Sequence, residues 1–409
     1  MLLQLFQRLM ALVSLALLAG GLYLVWSWWD LRQTLEATGV IYEDDIGWRL
    51  WTGLALLTVS LLGRTPVLWL LARPGDDADR LRRREGHVVE TPNGARLHVE
   101  AEGPPEAPAL VFVHGWGLDA RMWRDARLML AGRYQVVSYD LAGLGQSRGP
   151  ADGLYSLDGF ADDLLAVVRE LWPRRVILIG HSIGGMTVQT FVARHAGVLG
   201  QQVLGVVLEN TTPVDPTRTT ILGKALYAMK PVLGPLMRLD IMLWPLVWAM
   251  NWQSYLSGGT HVAMRFGGFG TRPTRAQLEH AARAATRNHP GVQARGNLAM
   301  MNWQGLASAG ALSVPTLVFI GGRDLVTIPA AGEAIVERAP RAEPSVQPRA
   351  GHLGPVELAQ DYNEAIARFA DRVFTDGAAW ADRPTPEHAG RTYDGPAGPV
   401  TRPRGERRP

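Results

Sequence analysis

Five short, mostly apolar runs rich in β-forming residues punctuate the chain between residues 109 and 322. ALVFVHG (109–115) precedes a helical pattern at 119–131, and YQVVSYD (134–140) precedes one at 157–171. VILIGHS (176–182) leads into 183–196, and PTLVFIGG (315–322) leads into 329–338. VLGVVLEN (203–210) is followed instead by a long insertion. Runs this short and this apolar predict strands buried on both faces, and the helical segments between them are the crossovers a parallel sheet needs. Upstream, HVVE and ARLHVEAE flank a T-P-N-G turn and predict a hairpin. The fold class is therefore α/β, a mostly parallel sheet with helices on both faces.

Two regions depart from that rhythm. Residues 213–305 hold LYAMKPVLGPLMRLDIMLWPLVWAMNW and a helical stretch at 274–287, which predicts an inserted helical subdomain. The tail, 376–409, is rich in Pro, Gly and charge and is expected to be disordered. The predicted core is then 86–212 with 306–374.

The first 73 residues read as a membrane anchor. Residues 9–29 carry no charge across 21 positions and end in WSWW, an interfacial aromatic signature. A cleaved signal peptide is the competing reading, but the apolar core is overlong and no small-x-small site follows. A second stretch, 50–72, runs uncharged for 14 residues before Arg64 and Pro66 interrupt it. It is expected to span as a second helix, with a hairpin or interfacial helix as the alternative. The segment 30–48 holds Arg32 against five acids, whereas Arg73, Arg80, Arg82, Arg83 and Arg84 follow the second stretch. The positive-inside rule then places 30–48 outside and the remainder in the cytoplasm, a multi-pass arrangement in the cell membrane. If the second stretch does not span, that topology inverts.

Composition removes several classes of function. A net charge of +3 implies no surface for nucleic acid. With no cysteines, disulfides, thiolate catalysis and Cys-based metal sites are excluded.

The chemistry is concentrated in G-H-S-I-G (180–184), directly after VILI. This fits the G-x-S-x-G elbow, where a serine sits on a sharp turn between strand and helix. Residues two before and two after the serine pass close together, so Gly180 and Gly184 must lack side chains, and Gly185 lets the helix approach the sheet. Ser182 needs a base. Among ten histidines, His352 in RAGHLGP lies past the last predicted strand in a loop of small neighbours. His181 is expected to point away from the elbow, and His195, His280 and His289 to be structural. The base needs a carboxylate: Asp324, in IGGRDLVTIP, is favoured over Glu209 at the end of VLEN. In HGWG (114–117) the glycines would expose backbone amides. Trp116 N–H and Ile183 N–H are the expected oxyanion donors, with His114 bracing the loop. The chain order Ser182, Asp324, His352 is that of one hydrolase fold. No cofactor and no metal are called for.

HGWG, DLAGLGQS (140–147), GHSIGG, GGRDLVTIP and AGH together resemble the motifs of the α/β-hydrolase superfamily, in its order, over residues 86–374. The resemblance implies that Asp140 and Ser147 shape a loop by the site, and that 213–305 is a lid. Serine at the elbow points away from haloalkane dehalogenases and epoxide hydrolases. Serine esterases, lipases, thioesterases, acyltransferases and cofactor-free haloperoxidases remain open, as does a non-catalytic scaffold on the same fold. An anchor with an apolar lid is similar to membrane-bound monoacylglycerol-lipase-like hydrolases. The expected activity is hydrolysis of a lipophilic carboxylic ester at the bilayer, with Met242, Trp244 and Trp248 of the insertion lining the acyl site.

Overall fold

The T-P-N-G hairpin forms as expected: β1 (His87–Glu90) pairs antiparallel with β2 (Arg96–Glu102). β3 (Ala109–Val113), β4 (Gln135–Tyr139), β5 (Val176–His181), β6 (Val203–Glu209) and β7 (Thr316–Gly321) are the five apolar runs. An eighth strand, β8 (Ala342–Gln347), was not expected. Its burial is partial and it carries Pro344, which suits an edge position where one side of the ladder is unpaired. The sheet order is β1-β2-β4-β3-β5-β6-β7-β8, antiparallel at β1–β2 and β2–β4 and parallel throughout the rest. The structure, a computed structural model, describes residues 2–38, 46–75, 77–82, 84–375, 394–395 and 398–399. Apart from a pairing of Asp394–Gly395 with Gly398–Pro399, the expected disordered tail lies outside the described residues.

Three helices precede the sheet: α1 (Leu2–Thr38), α2 (Gly47–Leu62) and α3 (Arg64–Leu71). α4 (Arg124–Leu130), α5 (Leu157–Glu170) and α6 (Ile183–Arg194) are the crossovers. Between β6 and β7 run α7 (Gly223–Ala228), α8 (Lys230–Met242), α9 (Trp244–Ser257), α10 (Gly259–Gly268), α11 (Arg275–Arg287), α12 (Pro290–Met301) and α13 (Leu306–Gly310). α14 (Pro329–Arg338), α15 (Gly354–Glu357) and α16 (Ala359–Thr375) complete the described helices. Alternate strand residues face opposite sides. Val111, Val113, Leu178 and Val318 pack with α5, α6 and α14, whereas Leu110, Phe112, Ile179 and Phe319 pack with α4 and α16. Both faces are therefore dry.

Among the described residues, α1 is the one unbroken helix long and apolar enough to cross a membrane. The second apolar stretch, 50–72, is not one continuous helix. α2 ends at Leu62, and α3 leaves at 67° to it. The break is at Gly63, where a Cβ would lie 2.6 Å from the Ser257 carbonyl oxygen, so only glycine lets the turn seat on the α9–α10 junction. The Arg64 guanidinium donates to Tyr255 Oη at 2.6 Å and pairs with Glu279 at 3.1 Å. The 16 residues of α2 rise about 24 Å, short of the roughly 30 Å hydrocarbon core. α2 lies back along α1, with Gly21 and Gly53 in mutual contact.

Both ends of this helical hairpin touch the insertion. Ser14 Oγ meets Ser257 Oγ at 2.6 Å, and Gln253 Nε2 donates to the Ser60 carbonyl at 3.1 Å. α8 and α9 meet at 94° and present Val232, Leu236, Leu239, Leu243 and Leu246 outward.

Candidate active site

Five strand ends converge on one edge of the sheet, as ligand sites in open α/β sheets do. Ser182 caps the N-terminus of α6 with φ 54° and ψ −118°, a conformation side chains avoid. The glycines make it possible. A Cβ on Gly180 would lie 2.4 Å from the Gly184 carbonyl oxygen, and one on Gly184 would lie 2.1 Å from that of Val113. At Gly185 it would meet the Thr211 side chain at 2.6 Å. Thr211 in turn donates to the Ser182 carbonyl at 2.6 Å, tying the elbow to the loop after β6.

His352 Nε2 lies 3.0 Å from Ser182 Oγ, and His352 Nδ1 lies 2.9 Å from Asp324 Oδ2. Asp324 is buried and accepts further bonds from Val326 N, Thr327 N and Thr327 Oγ1 at 2.7–2.9 Å, and from Asn210 Nδ2 at 3.2 Å. Burial alone would raise its pKa, but the neighbouring His352 and the bonds from His352 and Thr327 hold it below the usual carboxylate range. An ionised Asp324 only accepts, so Nδ1 of His352 carries the proton and Nε2 is free to accept from the serine hydroxyl.

The chain thus brings together Ser182, Asp324 and His352, from three separate segments. It does not bring Glu209 to His352. Glu209 is fully buried, and neither of its carboxyl oxygens has a hydrogen-bond partner among the described residues. Burial pushes its pKa up to about 8, so it is largely neutral at pH 7.

Ile183 is the first residue of α6, where helix geometry leaves the backbone N–H without an intrahelical partner. Trp116 follows β3 and borders a cavity beside Ser182. Its indole donates to the Gln293 carbonyl at 3.1 Å and packs on Phe160. His114 accepts from Leu141 N and donates to the Gly115 carbonyl, and so braces the loop. Asp140 accepts from Ala120 N and Gln146 N, and Ser147 Oγ donates to the Asp140 carbonyl.

Three expectations are corrected. His181 does not point away: it borders the cavity, and its Nε2 donates to the His352 carbonyl at 2.8 Å. Burial and the adjacent His352 press its pKa down to about 3, so it stays a neutral brace for the His352 loop. Trp244 and Trp248 are not at the cavity. Their rings pack at tilted angles on each other and on His289, and Trp248 Nε1 donates to the Thr286 carbonyl, which fastens α9 to the α11–α12 junction. Met242 is 75% exposed at the end of α8. The cavity, about 60 Å³, is lined instead by Leu3, Gln4, Leu118, Met186, Met264, Met300 and Val326 beside the catalytic candidates.

Sequence reasoning also passed over Asn210. It has a positive φ of 45°, bonds Asp324 and the Gly351 carbonyl, and accepts from Tyr362 Oη at 2.7 Å. An Asn directly after a buried strand is the available signal, because Asn tolerates that backbone region better than most residues.

A sequence profile of the alpha/beta hydrolase family matches residues 110–372. A bifunctional esterase/perhydrolase of Acinetobacter calcoaceticus is 38% identical over 109 residues, 26% of this chain and 39% of that protein. A non-heme chloroperoxidase of Burkholderia pyrrocinia is 32% identical over 127 residues, 31% of this chain and 45% of that protein. The chain therefore spans less than half the length of these relatives. Among solved structures, a thermophilic esterase from Thermogutta terrifontis superimposes with TM-score 0.58 at 24% identity, covering 70% of this chain and 98% of its own. A membrane phospholipase A, described as a bacterial virulence factor, superimposes with TM-score 0.57 at 21% identity over 81% of this chain and 98% of its own. At those identities the likeness is one of fold.

Proposed function

The chain belongs to the alpha/beta hydrolase family, and on that premise we propose that it is a membrane-anchored serine esterase acting on a lipophilic carboxylic ester. The observation that carries this reading is the Ser182–His352–Asp324 relay, at 3.0 and 2.9 Å, on a strained elbow. Ser182 Oγ attacks the ester carbonyl while His352 Nε2 takes its proton. Asp324 holds the imidazole tautomer and stabilises the imidazolium. The backbone N–H groups of Trp116 and Ile183 stabilise the oxyanion. His352 then protonates the departing alcohol, and water, deprotonated by the same imidazole, releases the acid from the acyl-enzyme.

The lipophilic preference rests on the apolar cavity and on the insertion above it, which serves as a lid. Its outward Leu236 and Leu239 line one cavity with Leu12, which lies in the uncharged part of α1. α1 crosses the bilayer, and α2, too short to cross alone, forms with α3 a broken return span, since the start of α1 and the end of α2 both pack on the hydrolase body. The arginines after residue 73 put that body in the cytoplasm.

Ser182→Ala tests the reading. Hydrolysis of a short p-nitrophenyl ester is expected to fall by several orders of magnitude, with the thermal unfolding transition retained. Substantial residual turnover would place the chemistry elsewhere.

A further inference from the structure

The first turns of the anchor helix reach the catalytic cavity: Leu3 and Gln4 line it together with Ser182 and His352. A second and larger cavity, about 310 Å³, lies between α1 and helices α8, α9 and α12, and Gln4 borders that one too. Gln4 is the residue that the two linings share. Gln4 is held by Gln293, at 3.2 Å, and by Asn297.

The volumes divide the work. The space beside Ser182, about 60 Å³, is roughly a fifth of the neighbouring chamber, so most of the room for a long substrate lies in the latter. The neighbouring 310 Å³ is within the range of small-molecule sites. Its walls are Leu5 and Leu12 of α1 and Leu233, Leu236, Met237 and Leu239 of α8. Leu12 belongs to the uncharged stretch 9–29, and Leu12, Leu236 and Leu239 are each about half exposed. The outer part of the chamber is thus continuous with the surface that meets lipid. Arg8 closes one side through Asp240 at 2.9 Å and Asn251 at 3.0 Å, which leaves its charge paired. From Leu12 to Gln4 the chamber follows roughly 12 Å of α1.

We propose that this chamber holds the acyl chain of the ester, so that the membrane anchor is itself a wall of the substrate site and the chain enters from the bilayer past Leu12 and Leu236. The inference rests on the esterase reading above and deepens it. It also moves chain recognition away from Met242, Trp244 and Trp248 to residues on α1 and the exposed face of α8. Burying each additional CH₂ is worth about 0.8 kcal/mol, so four further carbons raise kcat/KM by roughly two orders of magnitude where burial is complete.

The test uses the full chain in detergent and p-nitrophenyl esters from acetyl to dodecanoyl, below their micellar concentrations. The readout is the ratio of dodecanoyl to acetyl kcat/KM, which does not depend on the fraction of protein that folds. The wild type is expected to favour the longer chains. Leu236→Trp and Leu12→Trp, both at half-exposed positions that tolerate a larger side chain, are expected to lower the ratio at least tenfold, and Trp248→Ala to leave it alone. Ratios unchanged in both tryptophan variants would overturn the proposal. So would a selective loss on dodecyl acetate, which would assign the chamber to the alcohol chain. Absence of turnover on every ester in the wild type would instead defeat the esterase reading.

Discussion

At the scale of single residues, Ser182 stores strain of about 1–3 kcal/mol, and the two backbones that cross at Gly180 and Gly184 hold it there. Asp324, in the loop just past β7, and Glu209, the last residue of the neighbouring β6, have opposite electrostatic fates. Five hydrogen bonds surround the first, and none among the described residues reaches the second. Asp324→Asn is therefore expected to cripple ester hydrolysis, and Glu209→Gln to leave most of it. The reverse ranking would reassign the acid. Glu209→Gln should also change stability with pH. A carboxyl whose folded pKa stands near 8, above its ordinary 4.5, stabilises the fold fully below 4.5 and loses that contribution as pH rises through 8. The variant's melting temperature, relative to the parent, is thus expected to be higher at pH 9 than at pH 5. Ser182, Asp324 and His352 were each legible because a strand end and small neighbours announce an exposed, positioned side chain. His181, Asn210 and Thr327 were not, because their roles arise only where loops distant in sequence converge on Asp324 and His352.

At the scale of elements, the buried strands could be read directly, since an unbroken apolar run leaves few alternatives. β8 could not: at the sheet edge it is half-exposed and interrupted by proline, so neither the apolar run nor a clean alternation is present. The second apolar stretch looked longer than α2 is, because hydropathy does not reveal that Gly63 turns on the insertion and that Glu279 awaits Arg64. The hairpin nevertheless has both ends on one side of the molecule, which makes a topological prediction. A reporter active only in the cytoplasm is expected to function when fused after residue 376, and one active only outside when inserted between 38 and 46. The inverted pattern would mean that α2 does not return across the bilayer.

At the scale of the whole molecule, the apolar residues of the insertion have two destinations that sequence could not separate. Some pack into the core and the cavities, as Leu233 and Met264 do, while others, such as Leu236 and Leu246, face outward. The tryptophans expected to greet substrate instead fasten α9 to α11 and α12. The reaction and the anchoring both turn on Ser182 being the nucleophile in a membrane-held enzyme. The most direct measurement is labelling of the full chain in native membranes with a fluorophosphonate, followed by mass spectrometry of the modified peptide. The account predicts a single adduct on Ser182, greatly slowed in His352→Gln. An adduct confined to another serine, or labelling of Ser182 that proceeds equally fast without His352, would contradict it.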